Sequence, residues 1–341
     1  MPNLLIVGTN RIETYERSIE RAFSKLGWTV DFWDPALELA RVSRGKRPGR
    51  LLTSLIRIEP WLQKANLRLI QLVDRLGPDL ILVIGTTGVR AGSLAQIRVR
   101  CPKTVIYCLY PDSPHNLDLD RIQCIPFFDR IATSSPAWVP AFRKFGAIWV
   151  SYLPFAADTE YFRPVTDRTQ ALPAYEVGFV GNWRQERAAL LAQLTDFRLA
   201  IWGGDYWHSR VERDSPVRRV WQKRQAIGEE FAAICAQIPI MLNILDVVSW
   251  PGPNMRTFEL PACRAFALSE RSDAVLALFR EGETIECFAD VAEAQDKIKF
   301  YLAHEAARQR IAQAAYEFVT TQGHTYLDRA RQLIAWWQAD A

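Results

Sequence analysis

The chain has 341 residues, of which 49% are hydrophobic and 23% charged; that length suits two domains, and those fractions exclude wholesale disorder and collagen-like repeats. Its 42 Lys and Arg against 38 Asp and Glu leave a formal net charge of +4, too small a basic excess to single out a dedicated nucleic-acid binder. No uninterrupted apolar run approaches a membrane span of about 18 residues, and the N-terminus lacks the basic start and cleavage site of a signal peptide, so a soluble cytoplasmic protein is expected.

Leu4 to Val7 is an apolar run short enough for a buried strand. After Gly8-Thr9-Asn10, a helix is expected from Glu13 to Leu26, with Ile19, Ala22, Phe23 and Leu26 on one face. Gly27 ends it, and Thr29 to Trp33 reads as the next strand. A helix follows from Leu51 to Leu76, with Pro60 as a break or a fresh start. Leu80 to Ile84 is the continuous apolar run that a buried parallel strand needs. Thr104 to Leu109, Arg130 to Ala132 and Ile148 to Tyr152 repeat the strand signal at helix-length spacings, which implies a parallel sheet covered on both faces. From Pro154 to Pro173 the pattern lapses into proline and turn residues. It restarts with strands at Val177 to Val180, Leu199 to Trp202, Ile238 to Leu245, Ala265 to Leu268 and Ile285 to Phe288. A helix at Gln185 to Leu194 interleaves, and helices at Ala292–Leu302, Glu305–Thr320 and Tyr326–Trp337 close the chain. The reading is α/β with two Rossmann-like domains facing a central cleft: 1–155, a connector at 156–173, a second domain at 174–322, and a terminal helix at 323–341 packing back on the first domain.

The six cysteines form no CxxC pair, and the four histidines are far apart, so a structural metal site is not expected. Arg41 to Arg50 holds five basic residues and no acid; it reads as a solvated loop, or as a peripheral contact with an anionic membrane. Arg218-Arg219 and Lys223-Arg224 flank Trp221, an arrangement that single-stranded nucleic acid could use, though no nucleic-acid module accompanies it. There is no GxGxxG after the first strand, which disfavours dinucleotide redox chemistry. Gly85-Thr86-Thr87-Gly88, after the third strand, is either a close approach to a ligand or a plain turn.

Two segments carry candidate chemistry. Tyr110 to Asn116 lies just beyond a strand's carboxyl end, where α/β proteins place their sites; Asp112 is a candidate acid/base with His115 as second choice, against the alternative that Asp112 merely caps a turn. Pro251 to Leu260 reads as a stiff loop entering a helix near Asn254 or Met255. Free backbone amides there, with Arg256, suit a diphosphate, and Glu259 suits the two hydroxyls of a ribose. The alternative is a capped helix with a surface Arg–Glu pair.

Those segments, with Tyr152-Leu153-Pro154-Phe155-Ala156, Gly178 to Gly181, Ile201 to Gly204, Met241 to Ile244 and His324 to Arg329, together resemble the GT-B glycosyltransferases, most closely the CgeB-type, spore-maturation-protein group. The resemblance spans nearly the whole chain. It implies a nucleoside-diphosphate-sugar donor bound mainly by the second domain. Phosphates would lie at Asn254, Met255, Arg256 and Thr257, with Glu259 on the ribose and Gly181, Asn182, Gly203 and Asn243 nearby. It further implies transfer to a hydroxyl acceptor (a glycan, protein or small molecule), with a non-catalytic nucleotide-sugar-binding protein as the alternative. Two positions depart from the family. Pro251 stands where retaining relatives carry a second glutamate, and Arg264 replaces the usual glycine after the cysteine. No D-x-D motif of the metal-dependent single-domain transferases is evident, so neither a metal nor a cofactor is expected, and Arg256 with the helix start would neutralise the leaving group.

Overall fold

A computed structural model describes residues 1–12, 14–43, 59–85, 88–165, 173–247 and 250–340. The chain forms two compact units, Met1–Pro154 with Leu327–Ala341, and Phe155–Tyr326.

In the first unit six strands lie in the order β2-β1-β3-β4-β5-β6: β1 Asn3–Val7, β2 Thr29–Trp33, β3 Leu80–Ile84, β4 Val105–Tyr110, β5 Arg130–Thr133 and β6 Val150–Tyr152. Every pairing is parallel, and crossovers between parallel strands need helices; Tyr15–Lys25, Pro35–Val42, Glu59–Leu76 and Ala91–Arg100 supply them. All residues of β3 and β4 are buried, as continuous apolar runs covered on both faces must be. Pro60 is the second residue of its helix, where no amide is needed; the preceding stretch, 51–58, lies outside the described residues. The Pro35–Val42 helix escaped the reading of periodicity, although Asp34-Pro35 announces it. Asp34 Oδ1 accepts from the amides of Ala36 (2.8 Å) and Leu37 (3.1 Å), with proline at the first position. The sequence reading also began the last strand too early. Ile148 and Trp149 are 78% and 61% exposed and precede β6, a three-residue strand at the sheet's edge.

The second unit has five parallel strands in the order β11-β10-β9-β7-β8: β7 Val177–Val180, β8 Leu199–Trp202, β9 Ile240–Asn243, β10 Ala267–Glu270 and β11 Glu286–Phe288. Its helices include Gln185–Ala192, Glu229–Gln237, Arg256–Ala262, Val291–Ala303 and Glu305–Thr321. Residues 155–165 count with this unit. Ala157 donates to the His324 carbonyl (2.9 Å) and accepts from the Tyr326 amide (3.0 Å).

The helix Tyr326–Asp340 packs, from Leu327 onward, within the first unit. Trp337 meets Trp28 edge-on at 4.9 Å, Arg329 Nε donates to the Pro154 carbonyl (2.9 Å), and Asp340 takes the Tyr107 hydroxyl (2.6 Å) and the Arg130 guanidinium (3.0 Å). Among the described residues no helix is long and apolar enough to cross a membrane.

Each sheet reverses its strand order once, between β1 and β3 and between β7 and β9. Loops leaving the carboxyl ends of such neighbours diverge, and the crevice they leave is the expected ligand position.

Candidate functional site

At the reversal in the second unit, β7 runs into Gly181-Asn182 and β9 into Ile244-Leu245-Asp246. Arg187, buried on the helix after β7, joins the two loops. Its Nη1 donates to the Asn182 carbonyl (3.1 Å), while Nε (3.2 Å) and Nη2 (2.9 Å) donate to that of Ile244. Burial lowers its pKa, and Asp246 acts in the opposite direction. Asp246 also pairs with Arg184 Nε at 2.8 Å. Glu270, at the end of β10, accepts from the Leu245 amide (3.0 Å), and burial pushes its carboxyl up. None of these four charged residues was picked out from the sequence. The usable signal was Arg184 and Arg187, three apart at a helix start directly after a strand and a glycine, and so on one face.

Two of the expected donor contacts prove to be internal. Both glycines spend their amides inside the unit: Gly181 on the Trp202 carbonyl (3.0 Å), Gly203 on that of Arg224 (2.9 Å). Their carbonyls accept the indole N–H groups of Trp207 (2.9 Å) and Trp221 (3.0 Å). A Cβ on Gly203 would collide with the Gly181 carbonyl and the Trp207 indole, so glycine is needed there for packing. Trp221 is thereby a core residue, which removes the aromatic face that a nucleic-acid reading of residues 218–224 requires. Asn182, by contrast, is exposed.

The helix Arg256–Ala262 is fixed at its start by a chain of side chains. Asn254 Oδ1 accepts from the Thr257 amide (3.1 Å) and hydroxyl (3.2 Å), and Asn243 Nδ2 donates to Thr257 Oγ1 and Ser269 Oγ, both at 3.0 Å. Asn243 and Thr257 are therefore interior supports that tie the helix to β9 and β10. The amides of Thr257, Phe258 and Glu259 already donate to the carbonyls of Asn254 and Met255. Fewer amides are open than the sequence reading supposed: among the described residues, only those of Met255 and Arg256 in this first turn face no acceptor.

Arg256 is held on three sides. Nε donates to the Val180 carbonyl at the end of β7 (3.2 Å), Nη1 pairs with Glu259, and the guanidinium carbon lies 4.3 Å from the centroid of the Phe231 ring. The side chain remains 29% exposed, and among the described residues no acceptor faces Nη2. Glu259 is 1% exposed. Burial pushes its carboxyl up, Arg256 opposes, and Asp158 adds to the rise. The sequence reading set these two residues on separate parts of a ligand, or else as a surface pair. They form an ion pair, and its carboxylate half is buried.

In the first unit, Asp112 and His115 are both exposed beyond the end of β4. Ser134 Oγ donates to the Pro111 carbonyl (2.8 Å), anchoring this loop to the end of β5. The residue that caps the turn Pro114–Asn116 is Ser113, whose hydroxyl accepts from the His115 amide (3.3 Å); Asp112 does not cap it. At the reversal beside β1, the amides of Thr9 and Asn10 donate to Glu16 Oε1 (2.9 Å) and Asp34 Oδ2 (2.8 Å). A Cβ on Gly8 would lie 2.8 Å from Glu16 Cγ. The chain's own carboxylates occupy this loop, in keeping with the missing dinucleotide fingerprint. Thr86 and Thr87 lie outside the described residues, as do residues 44–50 of the basic run, whose Arg41 pairs with Glu38.

One correction concerns D-x-D. Asp118-Leu119-Asp120 spells that triplet, but Asp118 caps the helix Leu119–Cys124 through the Arg121 amide (2.9 Å) and Asp120 pairs with Arg90 (2.9 Å). Among the described residues no group of three or more His, Cys, Asp or Glu is placed to hold a metal ion.

Two parallel sheets, each of this topology, define the class: an α/β protein of two Rossmann-like domains with the GT-B fold. Comparison with solved structures gives the same fold. The chain is similar to sucrose-phosphate synthase from Thermosynechococcus elongatus (15% identity, 100% of each chain covered, TM-score 0.75). It is similar to Anabaena HepE in complex with UDP (11%, 100% of each, 0.65), and to α,α-trehalose 6-phosphate synthase from Burkholderia multivorans (11%, 99% of this chain and 97% of that one, 0.66). Residues 184–335, which contain the Arg256–Glu259 site, match the family model described as Glycosyl transferase-like. No curated protein matches the chain.

Proposed function

We propose that the protein is a glycosyltransferase that moves a sugar from a nucleoside-diphosphate donor to a hydroxyl acceptor, the donor being held by the second unit. The observation that carries this reading is the guanidinium of Arg256, fixed on three sides beside the strand-order reversal with its Nη2 group unused. A preorganised cation in that position suits a diphosphate both as bound ligand and as leaving group. Arg184 and Arg187, at the start of the helix after β7, lie by the neighbouring reversal with Asp246 between them, so Arg256 with the helix start would take the role of a divalent ion. Glu259 would accept from the ribose hydroxyls, with Met255, Arg256 and Asn182 toward the donor and Asn243, Asn254 and Thr257 holding the helix start. The HepE structures contain UDP and UDP-glucose, which makes a uridine donor the first to try. Within the class, the ordered segments quoted above favour the CgeB-type group, working in the cytoplasm.

For acid/base work we propose Asp112, with His115 as second choice, on the strength of their place at the carboxyl end of β4. An exposed carboxylate there could take the proton of an acceptor hydroxyl as it attacks the anomeric carbon. Pro251, in place of the retaining relatives' glutamate, favours one other reading, a nucleotide-sugar-binding protein without transfer activity. The deciding experiment is binding and turnover together: UDP binding weakened by about 1.5–3 kcal/mol in Arg256→Ala, and release of UDP from a donor panel lost in Asp112→Asn with nucleotide affinity retained. Undiminished UDP affinity in Arg256→Ala overturns the donor site; binding without turnover on every donor and acceptor class supports the second reading.

A further inference from the structure

We infer that Phe231 is a positioning residue for the diphosphate contact: its ring sets the plane of the Arg256 guanidinium so that the Nη2 edge is presented to the donor. This rests on the donor-site reading and adds to it a residue from a different helix.

An arginine in the first turn of a helix has four side-chain torsions, and fixing them on ligand binding costs affinity. In this protein the fixing precedes the ligand. Val180 O takes Nε and Glu259 takes Nη1. These two in-plane contacts lie on different sides of the guanidinium, and two such points leave the plane free to tilt about the line joining them. The third contact removes that freedom. Phe231, from the helix Glu229–Gln237, lies 4.3 Å from the guanidinium carbon, a separation at which the electron-rich face attracts the cation and favours a flat approach. Phe231 cannot follow a moving arginine, because it is 1% exposed and Phe162 abuts it edge-on at 5.4 Å with an 85° interplanar angle. Tyr161 braces Phe162 in turn at 5.1 Å. The aromatic stack therefore runs from residues 161–162, at the start of the second unit, to the plane of the proposed phosphate contact. An aliphatic side chain of similar size would fill the same volume but offer no quadrupole to the cation.

The test is a double-mutant cycle on UDP affinity, with Phe231→Leu, Phe231→Met and Phe231→Tyr made alone and in an Arg256→Ala background. The expected result is about tenfold weaker UDP binding for the Leu and Met variants, in the range a partly desolvated cation–π contact supports, with kcat/KM for the donor lowered at least in proportion. Phe231→Tyr, which keeps the ring, should restore affinity to within about twofold. In the Arg256→Ala background the Phe231 substitutions should have no further effect. Wild-type affinity in a folded Leu or Met variant overturns the inference, as does a loss that persists at full size without Arg256, since that marks a packing effect. Two further results, absent UDP binding by the wild-type protein or full binding by Arg256→Ala, would instead overturn the donor-site reading.

Discussion

Arg256 and Glu259 each owe their state to the other. Removing the guanidinium leaves a buried carboxylate without its partner, so Arg256→Ala should weaken nucleoside diphosphate binding by about 1.5–3 kcal/mol, the range of a charge-assisted contact; isothermal titration checks this. The pH dependence follows from Glu259. Burial raises its carboxyl above the ordinary range, so acidification neutralises it earlier than an exposed glutamate and releases Arg256. Nucleotide affinity should therefore fall as pH is lowered, with a midpoint above that of a free glutamate, and Glu259→Gln should abolish the inflection. Arg264 yields a different prediction. It adopts a φ of +58° just after the Arg256–Ala262 helix, a conformation glycine enters without cost. Its guanidinium lies over the Tyr316 ring at 4.9 Å, a partial offset. Arg264→Gly should be neutral or stabilising by up to about 1 kcal/mol in thermal unfolding. Residue types at the site were legible because arginine, glutamate and a proline-bracketed turn leave a pattern in sequence. Their mutual pairing was not, because the rotamers that join Arg256 to Glu259 and seat it on Phe231 depend on a helix 25 residues upstream, well beyond the reach of local spacing.

Among the elements, β3, β7 and β8 were read to the residue, since each is a short apolar run between turn signals with both faces covered; β2, only partly buried, was read to the residue from the Gly27 stop and its β-branched and aromatic residues. Four-residue helices such as Tyr206–Ser209 and Val217–Val220 complete little more than one turn, so no periodicity could reveal them. The helix Val291–Ala303 packs on β10 and β11 through Leu268, Phe288, Ala294 and Ile298 and is also tied to them by ion pairs. Arg271 pairs with Glu281 (2.5 Å) and Glu293 (2.6 Å), while Lys297 reaches Glu281 (2.8 Å) and Glu286 (2.6 Å). Hydrogen bonds from Arg271, with those from Lys297, hold the Glu281 carboxyl down to about 2 against the effect of burial. A depressed carboxylate contributes stability that is fully present above its unfolded pKa and fades as pH falls through the folded one. The Glu281 part of this contribution should thus be intact at neutral pH and fade between about 4.3, the unfolded glutamate value, and about 2, while the Glu293 carboxyl, held lower still by Arg271, keeps its share to more acid pH. Arg271→Ala should lower Tm at pH 7 and show a shrinking difference as pH falls from about 4.3 toward about 2, as circular-dichroism melts at stepped pH would report.

At the scale of the molecule, the alternation of strand and helix announced two sheets, because parallel strands demand crossovers. Local spacing does not convey which helices close each sheet, although the terminal helix at 323–341 was expected to pack back on the first domain. The helix after Tyr326 follows the second unit in the chain yet completes the first, covering Trp28 and anchoring Tyr107 and Arg130. Ending the chain at Tyr326 should therefore speed hydrogen exchange in β4 and β5 while leaving β9 and β10 protected; equal protection in both sheets would show the helix to be dispensable.

That arrangement has a consequence for synthesis. Tyr107 and Asp340 are 233 positions apart, so when the second sheet has already emerged from the ribosome the first still lacks its last partner, which sits in the exit tunnel. The half translated first is the half completed last, and until the terminal helix arrives Trp28 lacks its edge-on partner Trp337.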